Sequence, residues 1–305
     1  MAISNWMKGI PDATPVSMIN IPGSHDSTTQ FINLSLISRC QNKSIRQQLE
    51  SGIRFLDIRL FLNDNRLLAV HGIADCRTAK NRKSPPLLFN DVYREMKSFL
   101  EKHPSETVLM LLNEGRGRSG NAFFDAFYEQ FIKPAPSCWF SENRLPVLAE
   151  CRGKLVLLRR CGLGNTDKTY TDKNTGINFT NMGEQGSTKS ALPLPCPFDR
   201  LGGGPAAESA VIQDRYMFQP AAKWEKAVKP ALDNANPGEK TAYVHYLSTA
   251  GPPFVPRFNS MVVNHRFKGY TLKSGKPYGW IIMDFPDDEM IAKVAQSNFS
   301  VVSDL

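Results

Sequence analysis

Short apolar runs alternate with amphipathic stretches along most of the chain. Apolar runs of roughly four to eight residues that end at turn-forming or polar residues are typical of buried strands. The predicted strands cover residues 16–21, 53–60, 67–70, 107–112, 155–158, 211–218, 242–247 and 280–283. The predicted helices cover residues 43–51, 90–103 and 121–132. Strands that alternate with helices predict an α/β fold, here a TIM-type barrel that is irregular or distorted.

The whole chain, residues 1–305, is predicted to form one catalytic domain. Barrels of this class reach 305 residues as single units, so the length does not require a second domain. Hydrophobic residues make up 41% of the chain, which is enough for a sizeable core. The glycine- and proline-rich residues 162–206 and 249–256 are predicted to be long loops of the kind that often carry function, not linkers.

A formal charge of +8 and a sequence pI near 9.2 favour a partner that carries phosphate. Nucleic acid, an anionic membrane surface and a small phosphate ester all satisfy this condition. Part of the excess lies in a basic run formed by Arg77, Lys80, Arg82 and Lys83. This run either meets lipid phosphates or is a solvated loop.

The six cysteines are widely spaced and contain no pair at zinc-ligand spacing, so a structural zinc site is not indicated. Disulfides stay open. The amino-terminal residues lack the basic and apolar regions of a signal peptide, and no run reaches the roughly 18 apolar residues that span a bilayer. We therefore expect a soluble protein, secreted or cytoplasmic, that associates with membranes only peripherally.

Three polar clusters follow apolar runs and carry the candidate chemistry. They are residues 23–27 (GSHDS), 57–59 (DIR) and 71–72 (HG). In a parallel barrel the active site is built at the carboxyl ends of the strands, which is where these clusters fall. Asp57 and Arg59 are two residues apart on a strand, so both point to one face, either as a structural ion pair or towards a charged ligand.

Phosphodiester cleavage needs a base, an acid and fixed positive charge on the phosphoryl oxygens. His25, His71 and Arg59 supply these three functions. Three aspartates at strand ends can hold the histidine tautomers, namely Asp26, Asp57 and Asp284. Of the other histidines, His103 beside Pro104 fits a structural role, whereas His245 and His265 stay ambiguous.

These motifs resemble the bacterial phosphatidylinositol-specific phospholipase C family, whose X-type catalytic barrel is shared with calcium-dependent eukaryotic enzymes. The resemblance extends from about residue 15 to about residue 290. It rests on residues 21–27, 52–59, 70–72, 104–107, 152–160, 213–216 and 279–284. The family barrel agrees with the fold predicted from the apolar pattern.

The resemblance implies a two-histidine mechanism. His25 would be the general base that removes the proton of the inositol 2-hydroxyl, with Asp284 orienting it. The hydroxyl would then attack phosphorus, giving diacylglycerol and a cyclic inositol phosphate. His71 would be the general acid that protonates the departing oxygen, with Asp26 as its partner.

The resemblance also assigns the charge and the head-group pocket. Arg59 would stabilise the phosphoryl oxygens, anchored by Asp57. The residues expected to hold the inositol are Arg160, Asp214, Tyr216 and Asn113. The last of these departs from the family, because bacterial members place a lysine there.

A calcium site is the alternative to a metal-free reaction. In the calcium-dependent relatives the strand before Asn113 ends in a carboxylate ligand, and the position of Arg59 is a carboxylate too. Candidate oxygen ligands here are Asp26, Asp57, Asn113 and Glu114. Arg59 already supplies positive charge and would repel a second cation, so no cofactor is the favoured expectation.

Two other functions stay open: a calcium-dependent phosphodiesterase acting on another phospholipid or a glycerophosphodiester, and a non-catalytic lipid-binding barrel. The expected partner is phosphatidylinositol or a related anionic phospholipid on a transient membrane surface, with no nucleic acid, and the protein is expected to be a monomer. Trp6, Met7 and residues 252–256 are candidates for insertion into that surface. Trp6 can equally pack under the barrel.

Overall fold

The computed structural model describes residues 3–81, 83–116, 122–163, 170–186, 193–198 and 208–299. These residues contain one twelve-stranded sheet. Its strands are β1 Ile21–Ser24, β2 Phe55–Asn63, β3 Arg66–His71, β4 Ala74–Asp75, β5 Val108–Glu114, β6 Trp139–Phe140, β7 Leu155–Arg159, β8 Ile177–Asn178, β9 Leu194–Pro197, β10 Ser209–Gln213, β11 Thr241–Tyr246 and β12 Trp280–Met283.

Helices connect most of the strands. The α-helices are α1 Ser35–Ser38, α2 Ile45–Glu50, α3 Phe89–Lys102, α4 Ala122–Phe127, α5 Leu148–Cys151, α6 Pro220–Lys223, α7 Lys229–Asp233, α8 Pro256–Gly269 and α9 Asp288–Gln296. One π-turn, Tyr128–Ile132, extends α4, and another, Trp224–Val228, joins α6 to α7. A 3-10 helix covers Ile3–Gly9. Among the described residues, no helix is both long enough and apolar enough to cross a membrane.

The sheet curves into an incomplete barrel. Its strands follow the order β6-β7-β5-β2-β1-β12-β11-β10-β9, and all neighbours are parallel except β9, which runs antiparallel to β10. No strand pairing among the described residues closes the sheet between β8 and β9. Side chains bridge this opening instead: Gln185 Nε2 donates to the Ile212 carbonyl at 2.9 Å, and Phe179 stacks on Phe198 with ring centroids 5.3 Å apart.

Two apolar layers form on opposite faces of the sheet, as the alternation of side chains along a strand requires. The inner layer includes Ile21, Phe55, Leu109, Leu111, Val156, Leu158, Ile212, Val244, Trp280 and Ile282. The outer layer, which packs against the helices, includes Leu56, Ile58, Leu60, Met110, Leu112, Leu157, Ile281 and Met283. The strands are buried on both faces, which is why they are nearly continuous apolar runs.

β1 lies so close to its neighbours that only glycine fits at position 23. A Cβ atom at Gly23 would lie 2.5 Å from Ile282 Cδ1 and 2.9 Å from Phe55 Cβ. The close approach brings the ends of β1, β2 and β12 together. The residues that follow these three strands therefore meet in one place.

Two predicted strands differ from the structure. Residues 16–21 were predicted as a strand, but Val16–Met18 is a 3-10 turn and β1 begins at Ile21. The run is apolar because Val16 and Ile19 pack into the inner layer. The prediction of a strand over residues 211–218 is wrong after Gln213, where the chain leaves the sheet. Beyond that point the Tyr216 carbonyl accepts a hydrogen bond from the Thr249 hydroxyl at 2.9 Å.

Trp6 and Met7 are not membrane-facing. They are 2% and 0% exposed, and the Trp6 indole donates to the Gly52 carbonyl at 2.9 Å beneath the barrel. Both side chains are part of the core, so the prediction that they insert into a membrane surface is wrong. The Arg82 part of the basic run lies outside the described residues.

A buried ion pair joins β5 to the amino-terminal side of β2. Arg54 and Glu106 are both 0% exposed, and Arg54 Nη2 lies 2.9 Å from Glu106 Oε2. Arg54 also donates to the carbonyls of Leu49 and Ser4 at 2.7 and 2.6 Å. Every charge in this pair is compensated, because burial of an unpaired charge is costly.

We expect Glu106→Gln to lower the free energy of unfolding by about 3–5 kcal/mol, because it leaves the Arg54 charge buried without its counter-ion. Urea denaturation followed by circular dichroism measures this. The matched control is Glu95→Gln, which removes the solvent-exposed partner of Arg46 and should cost about 1 kcal/mol or less. Equal losses in the two variants would contradict the assignment.

Candidate active site

The candidate residues lie on the inward-facing side of their strands, beyond the apolar residues of the inner layer. Along β2, for example, Phe55 faces the inner layer, and Asp57 and Arg59 follow it at intervals of two. The same interval leads from the inner layer to the other pocket residues: His25, Asn113, Arg160, Asp214, Tyr246 and Asp284. The pocket is therefore the carboxyl end of the barrel interior.

His25 lies between two carboxylates and a guanidinium. Its Nδ1 lies 2.8 Å from Asp284 Oδ1, so Nδ1 carries a proton and donates it to that carboxylate. Its Nε2 lies 2.9 Å from Arg59 Nη2 and 3.2 Å from Asp26 Oδ2. When His25 is neutral, Nε2 accepts from Arg59; when it is protonated, Nε2 can donate to Asp26.

The two carboxylates make His25 strongly basic. Burial disfavours the imidazolium, but the charges of Asp26 and Asp284 and the hydrogen bond that His25 donates to Asp284 outweigh burial and the opposing charge of Arg59, and they raise the pKa of His25 to about 9. A proton taken up at Nε2 is consequently held firmly. In its neutral form, a group this basic is a strong proton acceptor.

His71 contacts the same oxygen of Asp26 as His25 does. Its Nδ1 donates to the Ser38 carbonyl at 2.8 Å, and its Nε2 lies 3.2 Å from Asp26 Oδ2. Because a carbonyl can only accept, Nδ1 carries the hydrogen and Nε2 is the atom whose proton can be transferred. The ring centroids of His25 and His71 are 6.3 Å apart in a T-shaped arrangement.

Asp26 is the buried centre of the site. It is 1% exposed, and Arg59 Nε lies 2.7 Å from its Oδ1. Burial raises the pKa of Asp26, but the charges of Arg59, His71 and His25 together lower it below its ordinary value. Asp26 is therefore a carboxylate that keeps cationic groups in place around it.

Arg59 is held by two carboxylates while part of its side chain stays open to solvent. Its Nη2 lies 3.3 Å from Asp57 Oδ2, and its side chain is 23% exposed. The burial that would lower the pKa of Arg59 is outweighed by Asp26 and Asp57, which raise it further above the ordinary range. The guanidinium is a permanent positive charge at the mouth.

A serine-rich turn after β1 sets the position of Asp26. The Ser27 hydroxyl accepts from the Asp57 amide at 2.8 Å, and the Ser27 amide donates to the Asp57 carbonyl at 2.9 Å. Asp26 itself has a φ of 43°, in the left-handed region that aspartate tolerates better than most residues. The turn directs the Asp26 carboxylate towards Arg59.

The predicted head-group residues line one side of the pocket. Tyr216 donates its hydroxyl proton to Glu184, and Arg160 Nη2 lies 3.6 Å from the same carboxylate. Burial raises the pKa of Asp214, only partly offset by Lys223, His25, Arg160 and Arg59. Asn113 aligns with Arg59 in the β2–β5 register and faces the same interior.

The four candidate calcium ligands do not lie on one face of the sheet. Glu114 aligns with Leu60, which belongs to the outer layer, so Glu114 lies on the opposite face of β5 from Asn113. Asp26 and Asp57 already contact the Arg59 guanidinium at 2.7 and 3.3 Å. Calcium takes about six to eight oxygen ligands. The proposed set of four is therefore not brought together, and two of its members are paired with a cation.

Several site residues were missed by sequence reasoning. Tyr246 is 2% exposed and packs edge-on against His25 at 6.0 Å between ring centroids. Its inward position on β11, two residues after Val244, was a signal that could have found it. No comparable signal marks Glu184 or the segment from Ser38 to Gln41, whose contacts depend on loop structure.

His103 and His245 lie outside the candidate active site. His103 contacts Asn5 at the end of α3, as its structural interpretation requires. His245 is 0% exposed and bonds the Tyr278 carbonyl through Nε2 at 2.9 Å. Burial is the main reason that the pKa of His245 falls to about 4, so it stays neutral.

Comparison with known proteins shows what this site is similar to. Residues 15–161 match the family described as phosphatidylinositol-specific phospholipase C, X domain. The matched segment contains β1 to β7 and both histidines of the site.

Relatives cover nearly the whole chain. A protein of Listeria monocytogenes named 1-phosphatidylinositol phosphodiesterase is 26% identical over 313 residues, which is 96% of this chain and 84% of the relative. One of the same name from Staphylococcus aureus strain Newman is 26% identical over 318 residues, covering 96% and 94%. The matches to these relatives therefore also cover most of the chain after residue 161. That part of the chain contains Asp214, Tyr216 and Asp284.

Solved structures show the same fold. A Staphylococcus aureus phosphatidylinositol-specific phospholipase C matches with a TM-score of 0.77 at 22% identity, covering 98% of both chains. The Listeria monocytogenes enzyme matches with a TM-score of 0.75 at 23% identity, covering 98% of this chain and 100% of that one. The predicted irregular TIM-type barrel is confirmed.

The environment of His25 predicts its titration. We expect the His25 imidazole to titrate near pH 9, and Asp284→Asn to lower its pKa towards the ordinary 6.5. NMR detects the imidazole resonances, and His25→Ala identifies the His25 signal. Because folding raises this pKa, the stability it contributes is complete below about pH 6.5 and is lost as the pH rises through about 9. An Asp284→Asn variant with an unchanged His25 titration would refute the pairing.

Proposed function

We propose that this protein is a phosphatidylinositol-specific phospholipase C, an enzyme that cleaves the glycerol–phosphate ester of phosphatidylinositol. The observation that carries the proposal is that the Nε2 atoms of two imidazoles both lie 3.2 Å from Asp26 Oδ2, while Arg59 contacts the other oxygen of that carboxylate. This arrangement provides a proton acceptor, a proton donor and a fixed cation within one pocket. The relatives named 1-phosphatidylinositol phosphodiesterase support the same activity.

The proposed reaction needs His25 neutral and His71 protonated at the start. Because the pKa of His25 is raised to about 9, only a minor fraction of the free protein carries this neutral base near pH 7. His25 Nε2 removes the proton of the inositol 2-hydroxyl as its oxygen attacks phosphorus. The bond between phosphorus and the glycerol oxygen breaks, and His71 Nε2 gives its proton to that oxygen. The products are diacylglycerol and a cyclic inositol phosphate, and both histidines have changed protonation state.

Electrostatics supports these roles. Asp284 holds the imidazolium that forms at His25, since their 2.8 Å contact is to the nitrogen that does not react. Asp26 contacts both Nε2 atoms at 3.2 Å and so stabilises whichever histidine carries the transferable proton. Arg59 is the cation available to the phosphoryl oxygens as negative charge develops on them.

The proposed reaction uses no metal ion. The support is the position of the Arg59 guanidinium, which contacts both carboxylates that a cation would need. A divalent ion within a few ångströms of it would be repelled. Arg160, Asp214, Tyr216 and Asn113 are proposed to receive the inositol ring, with Glu184 as an added hydrogen-bonding group between Arg160 and Tyr216.

A phosphorus NMR assay on phosphatidylinositol vesicles tests the reaction. We expect a cyclic phosphate product in chelator, and we expect His25→Ala and His71→Ala each to lose roughly 10²- to 10⁴-fold in kcat while staying folded, since each removes one proton-transfer step. His103→Ala, outside the pocket, is the matched control and should retain activity. Turnover that requires added calcium would overturn the metal-free proposal, and near-normal activity of either catalytic variant would overturn the roles.

We also propose that the mouth of the barrel binds a membrane surface. The large apolar side chains exposed among the described residues are Leu34, Leu36, Ile37, Ile73, Met217, Phe254, Phe258 and Met261. They lie in α1, after His71, after β10 and around the start of α8, all segments on the carboxyl side of the barrel. Exposed apolar residues gathered around one opening are typical of an interaction surface. A relative's solved structure is described as addressing membrane binding.

The double variant Leu36→Ser with Ile37→Ser tests this surface. These side chains are 71% and 53% exposed. Losing their insertion should weaken binding to phosphatidylinositol-containing vesicles about tenfold or more. Vesicle sedimentation measures the binding, with Lys97→Ser on the outside of α3 as control. Phe254→Ala tests the predicted loop 252–256 separately. If vesicle binding is unchanged in both the double variant and Phe254→Ala, the proposed membrane-binding surface is wrong.

A further inference from the structure

Gln41 is a buried side chain that connects the two strands carrying His25 and Asp284. It lies between α1 and α2 and is 1% exposed. Its Nε2 donates to the His25 carbonyl at 2.7 Å and to the Met283 carbonyl at 3.0 Å. Both hydrogens of one amide group are used on backbone atoms at the carboxyl ends of β1 and β12.

These two carbonyl groups lie next to the proposed general base, His25, and the carboxylate that orients it, Asp284. The His25 amide also donates to the Met283 carbonyl at 3.0 Å, and Asp284, the next residue, accepts from His25 Nδ1 at 2.8 Å. The β1–β12 ladder ends at Ser24 and Met283. Past that point Gln41 adds a side-chain bridge that fixes the distance between the backbones of His25 and Asp284.

The residue before Gln41 braces the neighbouring turns. The Cys40 amide donates to the Thr29 hydroxyl oxygen at 2.9 Å, and that hydroxyl donates to the Asp26 carbonyl at 2.8 Å. The Cys40 carbonyl accepts from the Phe285 amide at 2.9 Å. Asp26 and Phe285, the residues after His25 and after Asp284, have φ values of 43° and 45°, in the left-handed region. Both turns therefore depend on contacts from this segment.

We propose that Gln41 is a positioning residue for proton removal: by bridging the ends of β1 and β12 it fixes His25 Nδ1 against Asp284. This inference rests on the proposed phospholipase C reaction, in which His25 is the base. Burying an amide is costly unless its hydrogen bonds are made, so an apolar side chain of the same size would be easier to bury here. The donor is needed for the two carbonyls, not for packing.

Other groups also act on the His25 imidazole and must be held constant in a test. The charged and titratable groups around it are Asp26, Cys40, Asp57, Arg59, His71, Asp214, Tyr246 and Asp284. Replacing Gln41 removes none of them. A change in the titration of His25 therefore reports the position of His25 relative to its neighbours.

Gln41→Met is the test, because methionine keeps the length of the side chain and removes the donor. We expect the His25 pKa, measured by NMR, to fall below its value in the unmodified protein as the contact with Asp284 loosens. We expect kcat on phosphatidylinositol to fall about 10- to 100-fold with KM nearly unchanged, since misplacement of a catalytic group affects the chemical step. Gln41→Leu serves as a second apolar replacement if the methionine variant does not fold.

Asn20→Leu is the matched control. Asn20 is also 1% exposed, and its Nδ2 donates to the Lys276 carbonyl and the Ser297 hydroxyl at 2.9 Å each, before the start of β1 and away from His25 and Asp284. It should lose at least as much stability in thermal unfolding yet keep the His25 pKa and kcat. An unchanged His25 pKa in Gln41→Met, or the same shift in Asn20→Leu, would overturn the proposal. The NMR titration does not depend on turnover, so a failure of the proposed activity is distinguished from a failure of this inference.

Discussion

The Asp26 carboxylate, buried among three cationic or basic groups, is the interaction on which the site depends. A carboxylate at 1% exposure is stable only if its charge is compensated. Arg59, His25 and His71 provide that compensation. Because each of them contacts the Asp26 carboxylate, their positions relative to one another are fixed. The contacts that compensate the buried charge of Asp26 are therefore the same contacts that arrange the proposed catalytic groups.

The barrel makes this arrangement possible. Parallel strands deliver their final residues to one end, and the alternation of side chains sends every second one inwards. Asp57 and Arg59 show the principle on one strand, while Asp284 reaches His25 from β12, far away in sequence. The opening between β8 and β9 does not disturb this geometry, because the strands that carry the histidines and their partners lie on the opposite side of the sheet.

The mouth combines this charged interior with an apolar rim. α1 carries Leu36 and Ile37 on the outside, and its last residue, Ser38, accepts from His71 on the inside. The next residues, Cys40 and Gln41, brace the turns that hold Asp26, His25 and Asp284. One short segment thus connects the surface proposed to meet lipid with the groups proposed to act on it.

The sequence by itself predicted the barrel class, most strands and the residues that meet at the candidate site, because the apolar runs and the polar residues that end them are local patterns. Asp57 and Arg59 were correctly expected on one face, since the period of a strand is two. Tertiary structure decided what local patterns do not contain. It buried Trp6 under the barrel, turned Glu114 away from the pocket, ended β10 at Gln213 and brought Glu184, Tyr246 and Gln41 to the site. These outcomes depend on which strands and loops become neighbours, and neighbours distant in sequence leave no periodic signal in a single chain.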